Sequence, residues 1–403
     1  MKLQKKNKIE LMAPAGNFAM LTSACRSGAD AVYFGLNYFS MRSGKGNFKI
    51  SDLDKIKRIC KSYPRNPKLY LTLNTIIYDS EIKKLEKLIR KIKNKVDAVI
   101  CWDFAVIQLC RKYKIPFFIS TQASVSNKEA ALFYKKQGAK RIVLARELNI
   151  KQIKKISKIK GLEIEVFIHG AMCVSISGRC FTSQFLFNKS ANRGDCFQPC
   201  RRSYTVMDDK YKHELRLVNN KVMSAKDLCV LPFIEEIKKA GVKSLKIEGR
   251  NRDVRYVDSV VRIYRQTLDR KLDKKEIINL MKDLEKVYNR KFSSGFYLGK
   301  TTPSDFSDVE NSSSTTYKEY IGKITHLYPK AKTASIKLVN NLKINEVIAV
   351  IHDDIGVEEI VVTEMEIENR KIENAKKGQE IAIKFPFKMF RNAEVYKIKK
   401  RKV

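Results

Sequence analysis

The sequence has no apolar run near the roughly 20 residues that a membrane-spanning helix requires, because Asp97 and Asp103 break its greasiest stretch, 96–110. No membrane partner is expected. The first ten residues are basic, but the apolar run behind them stops at Pro14, too short for a secretion signal, so a cytoplasmic location is expected. Histidine is scarce, with four in 403 residues, and neither H-E-x-x-H nor G-x-S-x-G occurs, which removes the usual machinery of zinc and serine hydrolases. Acidic residues are in deficit: 43 Asp and Glu face 81 Lys and Arg, leaving a net charge of +38. Such a field attracts polyanions and raises their association rate. Solvated lysine spread over every face gives the same figure, so nucleic acid becomes the expected partner only if a site accompanies the charge. No internal repeat or long low-complexity tract is present.

The chain does have ample material for a core. At 44% hydrophobic, 31% charged and 9% aromatic residues it is globular, neither disordered nor collagen-like. One core rarely grows past about 300 residues, so a large domain and a smaller one are expected. Short β-branched runs at 9–13, 31–35, 69–74, 98–102, 117–121, 141–145, 164–169 and 244–248 alternate with helical patterns. In those helices Ile56, Ile59 and Cys60, or Leu85, Leu88, Ile89 and Ile92, form one apolar stripe. Eight such units predict an α/β fold, a (β/α)8 TIM-like barrel over residues 1–300. The stretch 171–240 after the seventh strand is far longer than a usual crossover and reads as a functional insertion. A Ser/Thr/Asp-rich linker is expected at 301–318, followed by a small all-β barrel over 319–403.

The insertion holds five of the nine cysteines. Four of them, Cys173, Cys180, Cys196 and Cys200, make C-x6-C-x15-C-x3-C within 28 residues, a density that buried apolar thiols seldom reach. Spacing alone leaves two readings, tetrahedral zinc and an iron–sulfur cluster. Only Cys196 and Cys200 form a tight knuckle, and the wide first pair suits a cluster. Gly170, Gly178 and Gly194 permit close backbone approach, and Arg179, Arg193, Arg201 and Arg202 can offset thiolate charge. Cys25, Cys60, Cys101, Cys110 and Cys229 read as core.

Several segments resemble a known family. These are residues 10–17 (ELMAPAGN), 28–35 (GADAVYFG), 165–173 (EVFIHGAMC), 177–180 (SGRC), 190–196 (SANRGDC), 198–201 (QPCR), 224–228 (SAKDL) and 246–250 (KIEGR). Together they are similar to the collagenase-like peptidase family "U thirty-two", whose better-characterised members are oxygen-independent, prephenate-dependent hydroxylases of RNA and of ubiquinone precursors. The resemblance implies a [4Fe–4S] cluster on Cys173, Cys180, Cys196 and Cys200, prephenate as hydroxyl donor or cosubstrate, and tRNA or rRNA as partner. The product implied is 5-hydroxyuridine in the tRNA anticodon or hydroxycytidine in rRNA. The ubiquinone branch works as two-protein complexes, so a second subunit of the same family is a further expected partner. The regular x3 spacing of the last cysteine pair favours the RNA branch.

In a barrel of this type the strand C-terminal ends build the active face. Arg146 and Arg250 fall there, able to grip a carboxylate bidentately, with Glu147 and Glu248 beside them as proton acceptors or orienting partners. Gln122, Asn74 and His169 are expected to hydrogen-bond a base edge or the cosubstrate acid. A peptidase using a Cys–His or Ser–His pair would depend on His169, since His213, His326 and His352 lie outside the predicted mouth. Arg252, Arg255, Arg262 and Arg265, at helical spacing opposite Val254, Val257, Val261 and Leu268, are a candidate phosphate track. Such a stripe is also what a solvated helix face looks like. Basic residues from Lys384 to Lys402 are a second candidate RNA surface. A non-enzymatic RNA-binding module is the remaining reading, and it leaves the polar barrel mouth unexplained.

Overall fold

Short β-branched and aromatic runs alternating with amphipathic helices close a parallel barrel here, with strands buried on both faces. The structure, a computed structural model, describes residues 9–41, 47–176, 179–202, 204–211, 213–217, 223–309 and 311–401. Gly178 and Lys402 fall outside the described residues. Seven strands come first: β1 (Glu10–Ala15), β2 (Ala31–Gly35), β3 (Lys68–Thr72), β4 (Ala98–Cys101), β5 (Phe117–Ile119), β6 (Arg141–Val143) and β7 (Glu163–Gly170). Between them run α1 (Phe18–Arg26), α2 (Leu53–Lys61), α3 (Ile82–Ile92), α4 (Phe104–Lys112), α5 (Lys128–Lys136) and α6 (Ile150–Ile156). Asparagine or aspartate caps four of these helices: Asn17, Asp103, Asn127 and Asn149 each accept a hydrogen bond from the first turn.

The insertion follows, with α7 (Thr182–Phe187) and the hairpin β8 (Tyr204–Met207) and β9 (Glu214–Leu217). It returns as β10 (Asp227–Cys229), which pairs antiparallel with the end of β7, Leu228 opposite Gly170. α8 (Ile234–Lys239) is then the ordinary crossover helix, and β11 (Ser244–Ile247) lies parallel between β7 and β1, closing the eight-stranded barrel. All eight strands fall where the sequence places them. α9 (Val254–Asp269) and α10 (Lys274–Glu285) complete the outer layer, and β12 (Phe292–Ser293) pairs with β10.

The stretch expected as a linker is held against the barrel. Asp305 accepts from Ser293 Oγ at 2.5 Å, Lys226 N donates to the Asp305 carbonyl at 2.9 Å, and Ser307 is fully buried. Its polar composition reflects these local hydrogen bonds. The C-terminal region is antiparallel: β13 (Thr316–Tyr328), β14 (Thr333–Leu338), β15 (Leu342–Lys343), β16 (Val347–His352), β17 (Gly356–Val361), β18 (Met365–Ile367), β19 (Arg370–Ile372), β20 (Asn374–Ala375), β21 (Glu380–Lys384) and β22 (Glu394–Lys400). Eight of these form one sheet in the order β17-β16-β22-β13-β14-β21-β18-β19, around a core that includes Ile324, Ile336, Val350 and Phe385.

This β-region docks on the outside of the barrel. Val357 N donates to Ser23 Oγ at 3.1 Å, Thr22 Oγ1 donates to the Asp353 carbonyl at 2.6 Å, and Val357 and Ala349 join the barrel's own apolar core. Among the described residues no helix is long and apolar enough to cross a membrane.

Candidate active site

The barrel interior is filled in layers, as a closed eight-stranded barrel requires. At the N-terminal end Arg141 bridges Glu10 at 2.5 Å and Glu165 at 3.1 Å, and its guanidinium lies 4.5 Å from the centre of the Phe118 ring. Glu165, fully buried, passes the connection on to Lys246 Nζ at 3.3 Å. Burial pulls the Lys246 amine below its ordinary value, while Glu165 opposes that shift. Met12, Tyr33, Tyr70, Ala98, Ile100 and Phe118 pack the apolar middle.

Above them opens a cavity of about 1020 Å³, counting space continuous with solvent. Its barrel wall carries Tyr33, Asn74, Gln122, Arg146, Lys246, Glu248 and Arg250. Arg250 donates from Nη1 to Ser40 Oγ at 2.8 Å and Thr72 Oγ1 at 3.0 Å. Arg146 stacks 3.8 Å from the Phe167 ring centre, donates to the Ala171 carbonyl at 2.6 Å and lies 4.0 Å from Glu248. Gln122 donates to the Asn74 carbonyl at 3.1 Å, and Asn74 Oδ1 accepts from Met41 N at 3.1 Å. Three cations and one carboxylate thus face a partly apolar chamber, an arrangement suited to a small polyanion.

The insertion roofs this chamber. Cys173, Cys180, Cys196 and Cys200 all line it, Cys173 exposed and the others half-buried. Burial pushes the Cys200 thiol up and Arg201 pulls it down, while negative charge on Cys196, Cys173 and Cys180 would push it up further. Burial also opposes ionisation of Cys180, but hydrogen bonds from Thr182 and Ser175 prevail and lower its pKa. Among the described residues no three His, Cys, Asp or Glu side chains converge into a one-ion cage.

Arginines stitch the roof down. Arg179 donates to the Gln122 carbonyl at 3.0 Å, Arg193 pairs with Glu81 at 2.5 Å, and Arg201 donates to the Ala225 carbonyl at 3.0 Å. Gly170, in left-handed backbone at φ 105°, lets the chain turn into the roof, since a Cβ there would sit 2.5 Å from the Glu248 carbonyl.

Other expected residues lie elsewhere. Glu147 is exposed and faces a neighbouring cavity behind Cys173, because it points outward past the end of β6. His169 is 2% exposed and packs among Tyr256, Tyr264 and Phe292, outside the barrel wall. Simple alternation would place it on the inner face with Glu165 and Phe167. However, the β7–β11 pairing slips there: Lys246 opposes Phe167 and Ile247 opposes His169, so a bulge at Ile168 turns the imidazole to the helix layer. Burial pulls its pKa down to about 4.

The arginine stripe of α9 is also not a free track. Arg255 pairs with Glu359 of the β-region at 2.6 Å, and Arg265 pairs with Asp30 at 2.8 Å and Asp269 at 2.9 Å. Arg252 covers the Tyr288 ring at 3.7 Å, which leaves Arg262 as the exposed member. Both long sides of α9 are covered, one by the barrel and one by the β-region. In that region Lys397 is likewise 7% exposed and pairs with Glu346 at 3.3 Å. Sequence reasoning missed Lys246 and Tyr33, whose inward positions on β11 and β2 follow from the two-residue strand period.

Fold and site together define a class: a (β/α)8 barrel whose C-terminal mouth is roofed by a four-cysteine insertion, with an all-β region on its outer helices. The family model described as Peptidase family U32 matches residues 16–306, and the chain belongs to that family. It is 38% identical to an uncharacterized protease of Methanocaldococcus jannaschii over 404 residues, spanning 97% of this chain and 98% of that protein. It is 36% identical to a collagenase of Porphyromonas gingivalis over 413 residues, 98% of this chain and 99% of the relative. A tRNA hydroxylation protein of Bacillus subtilis is 32% identical over 347 residues, 83% of this chain and 82% of its own length.

Proposed function

We propose that this chain is an oxygen-independent hydroxylase of RNA that forms 5-hydroxyuridine in the tRNA anticodon, acting in the cytoplasm with a [4Fe–4S] cluster and prephenate as cosubstrate. One observation carries the reading: four cysteines of the insertion line the same chamber as Arg146, Lys246, Glu248 and Arg250. Four thiols on one chamber are the donor type and number that a [4Fe–4S] cluster or a tetrahedral zinc ion takes, and the wide Cys173–Cys180 spacing favours the cluster. When bound, the cluster supplies redox chemistry at the roof of the chamber. The similarity to a tRNA hydroxylation protein supports RNA as substrate.

The chain's own groups then divide the work. Arg250 and Arg146 hold the carboxylates of the cosubstrate, and Lys246 adds a third positive charge from the floor. The uracil leaves its stack and enters the mouth, where Asn74 and Gln122 line the wall that meets its edge. Glu248, 3.5 Å from Tyr33 Oη, would accept the proton as the ring C–H bond gives way to C–O, with the hydroxyl leaving prephenate, whose carbon takes up the electron pair and a proton in return.

Relatives named as a protease and a collagenase supply the second reading. Against it, no histidine lines the chamber among the described residues, so the Cys–His or Ser–His pair has no base there.

Anaerobically purified protein is expected to be brown and to lose its colour in Cys196→Ala or Cys200→Ala. Nucleosides from a deletion strain are expected to lack 5-hydroxyuridine derivatives when analysed by mass spectrometry. A colourless, zinc-loaded protein that cleaves gelatin would reverse the ranking.

A further inference from the structure

The roof has a second face. Among the described residues 17 large hydrophobic side chains are exposed, and seven of them (Val174, Ile176, Phe181, Phe185, Leu186, Phe187 and Phe197) fall within 24 residues of the insertion. Phe181 is 75% exposed, Phe185 87% and Phe197 57%. Scattered apolar residues need no explanation, but a concentration of exposed aromatics marks an interaction surface. Its position is specific: Cys180 and Cys196 line the chamber, while the residues that follow each of them, Phe181 and Phe197, project outward. Phe181 and Phe197 therefore stand on the solvent side of the roof, one residue from the chamber wall.

The chemistry of the surroundings identifies the occupant. Between residues 173 and 202 the chain has five basic residues, Arg179, Lys189, Arg193, Arg201 and Arg202, and one acidic residue, Asp195. Lys189 and Arg202 are exposed, and the Arg202 guanidinium lies 5.3 Å from the Phe187 ring centre. Phe187 in turn meets Phe197 edge to face at 5.6 Å, which fixes the orientation of both rings. Fixed aromatic faces with cations beside them are what binds single-stranded nucleic acid, because every base offers a π-face and every linkage a phosphate. A protein partner would be expected at a patch whose centre is depleted of charge.

We infer that Phe181, Phe185 and Phe197 form a stacking platform for unpaired RNA bases flanking the nucleotide that enters the chamber, with Arg202 and Lys189 on the adjoining phosphates. The inference rests on the proposed RNA substrate and adds the surface that selects a looped, unstacked strand over a duplex.

The test uses the full chain and a fluorescent anticodon stem-loop RNA, with a duplex of equal length as control, and reads binding without turnover. Phe181→Ala, Phe185→Ala and Phe197→Ala are each expected to weaken stem-loop binding roughly 5- to 150-fold for each stacked base. The salt dependence should stay unchanged, since no phosphate contact is lost. Phe185→Trp should restore affinity, and duplex binding should barely change. Stem-loop affinity indifferent to all three rings overturns the platform, as does a wild-type chain that binds no RNA. An alanine variant that only dissociates a self-associated protein makes the patch a protein interface and also overturns it. Ring-dependent RNA binding without any hydroxylated nucleoside would sink the proposed reaction and leave the platform standing.

Discussion

The guanidinium of Arg250 occupies the space that a side chain at Gly35 would fill: a Cβ there would collide with Arg250 Nη1 and Ser40 Oγ. Gly35 does not have positive φ, so alanine is a purely steric probe at this position. Gly35→Ala is expected to push Arg250 off Ser40 and Thr72 and raise the KM for the anionic cosubstrate about tenfold or more. Circular dichroism should stay unchanged. An unaltered KM would show that Arg250 does not hold that ligand.

Lys246 and Glu165 form an ion pair deep in the barrel. Lys246→Met strands part of a fully buried carboxylate, which costs about 3 kcal/mol even with Arg141 still present. Adding Glu165→Gln should recover much of that loss, and urea denaturation of the two variants measures both. A single-variant cost under about 1 kcal/mol would mean the carboxylate is not held as a charge.

His169 makes stability depend on pH. Its folded pKa of about 4 lies below the unfolded value near 6.5, so the unfolded chain binds the proton first. This contribution is complete above pH 6.5 and is lost as pH falls toward 4, a change of about 3 kcal/mol. His169→Gln should flatten that slope in thermal melts while leaving RNA modification at pH 7.5 intact. A variant that folds but is inactive at that pH would return the imidazole to the catalytic machinery.

Arg255 separates a docking role from an RNA role. Its partner Glu359 is 43% exposed, so the pair is screened, and Arg255→Ala should cost about 1–2 kcal/mol, mainly from the lost packing of an arginine side chain that is 8% exposed. RNA affinity and its salt slope should be unchanged. A slope reduced by about one unit would instead show a lost phosphate contact.

What could be read from the chain was what local periodicity encodes. The eight strands were legible because each is a short apolar run between amphipathic helices. The four cysteines stood out because their spacing is dense. His169 was not legible, because a one-residue slip opposite Lys246 turns it outward, and no pattern within β7 announces a slip in its pairing with β11. The arginines of α9 were misread for a related reason. Helical spacing gives their face, but the β-region that covers it starts some fifty residues later. Lys246 was hidden in a segment read as motif, although the strand period alone sends it inward.

The docking of the β-region on α1 also sets the order in which the protein can be completed. Val357 and Ala349 belong to the same apolar core as Leu21 and Ala24, near the beginning of the chain. During synthesis α1 must therefore keep one flank bare until the strands carrying Ala349 and Val357, some three hundred residues further along, have followed it out of the ribosome.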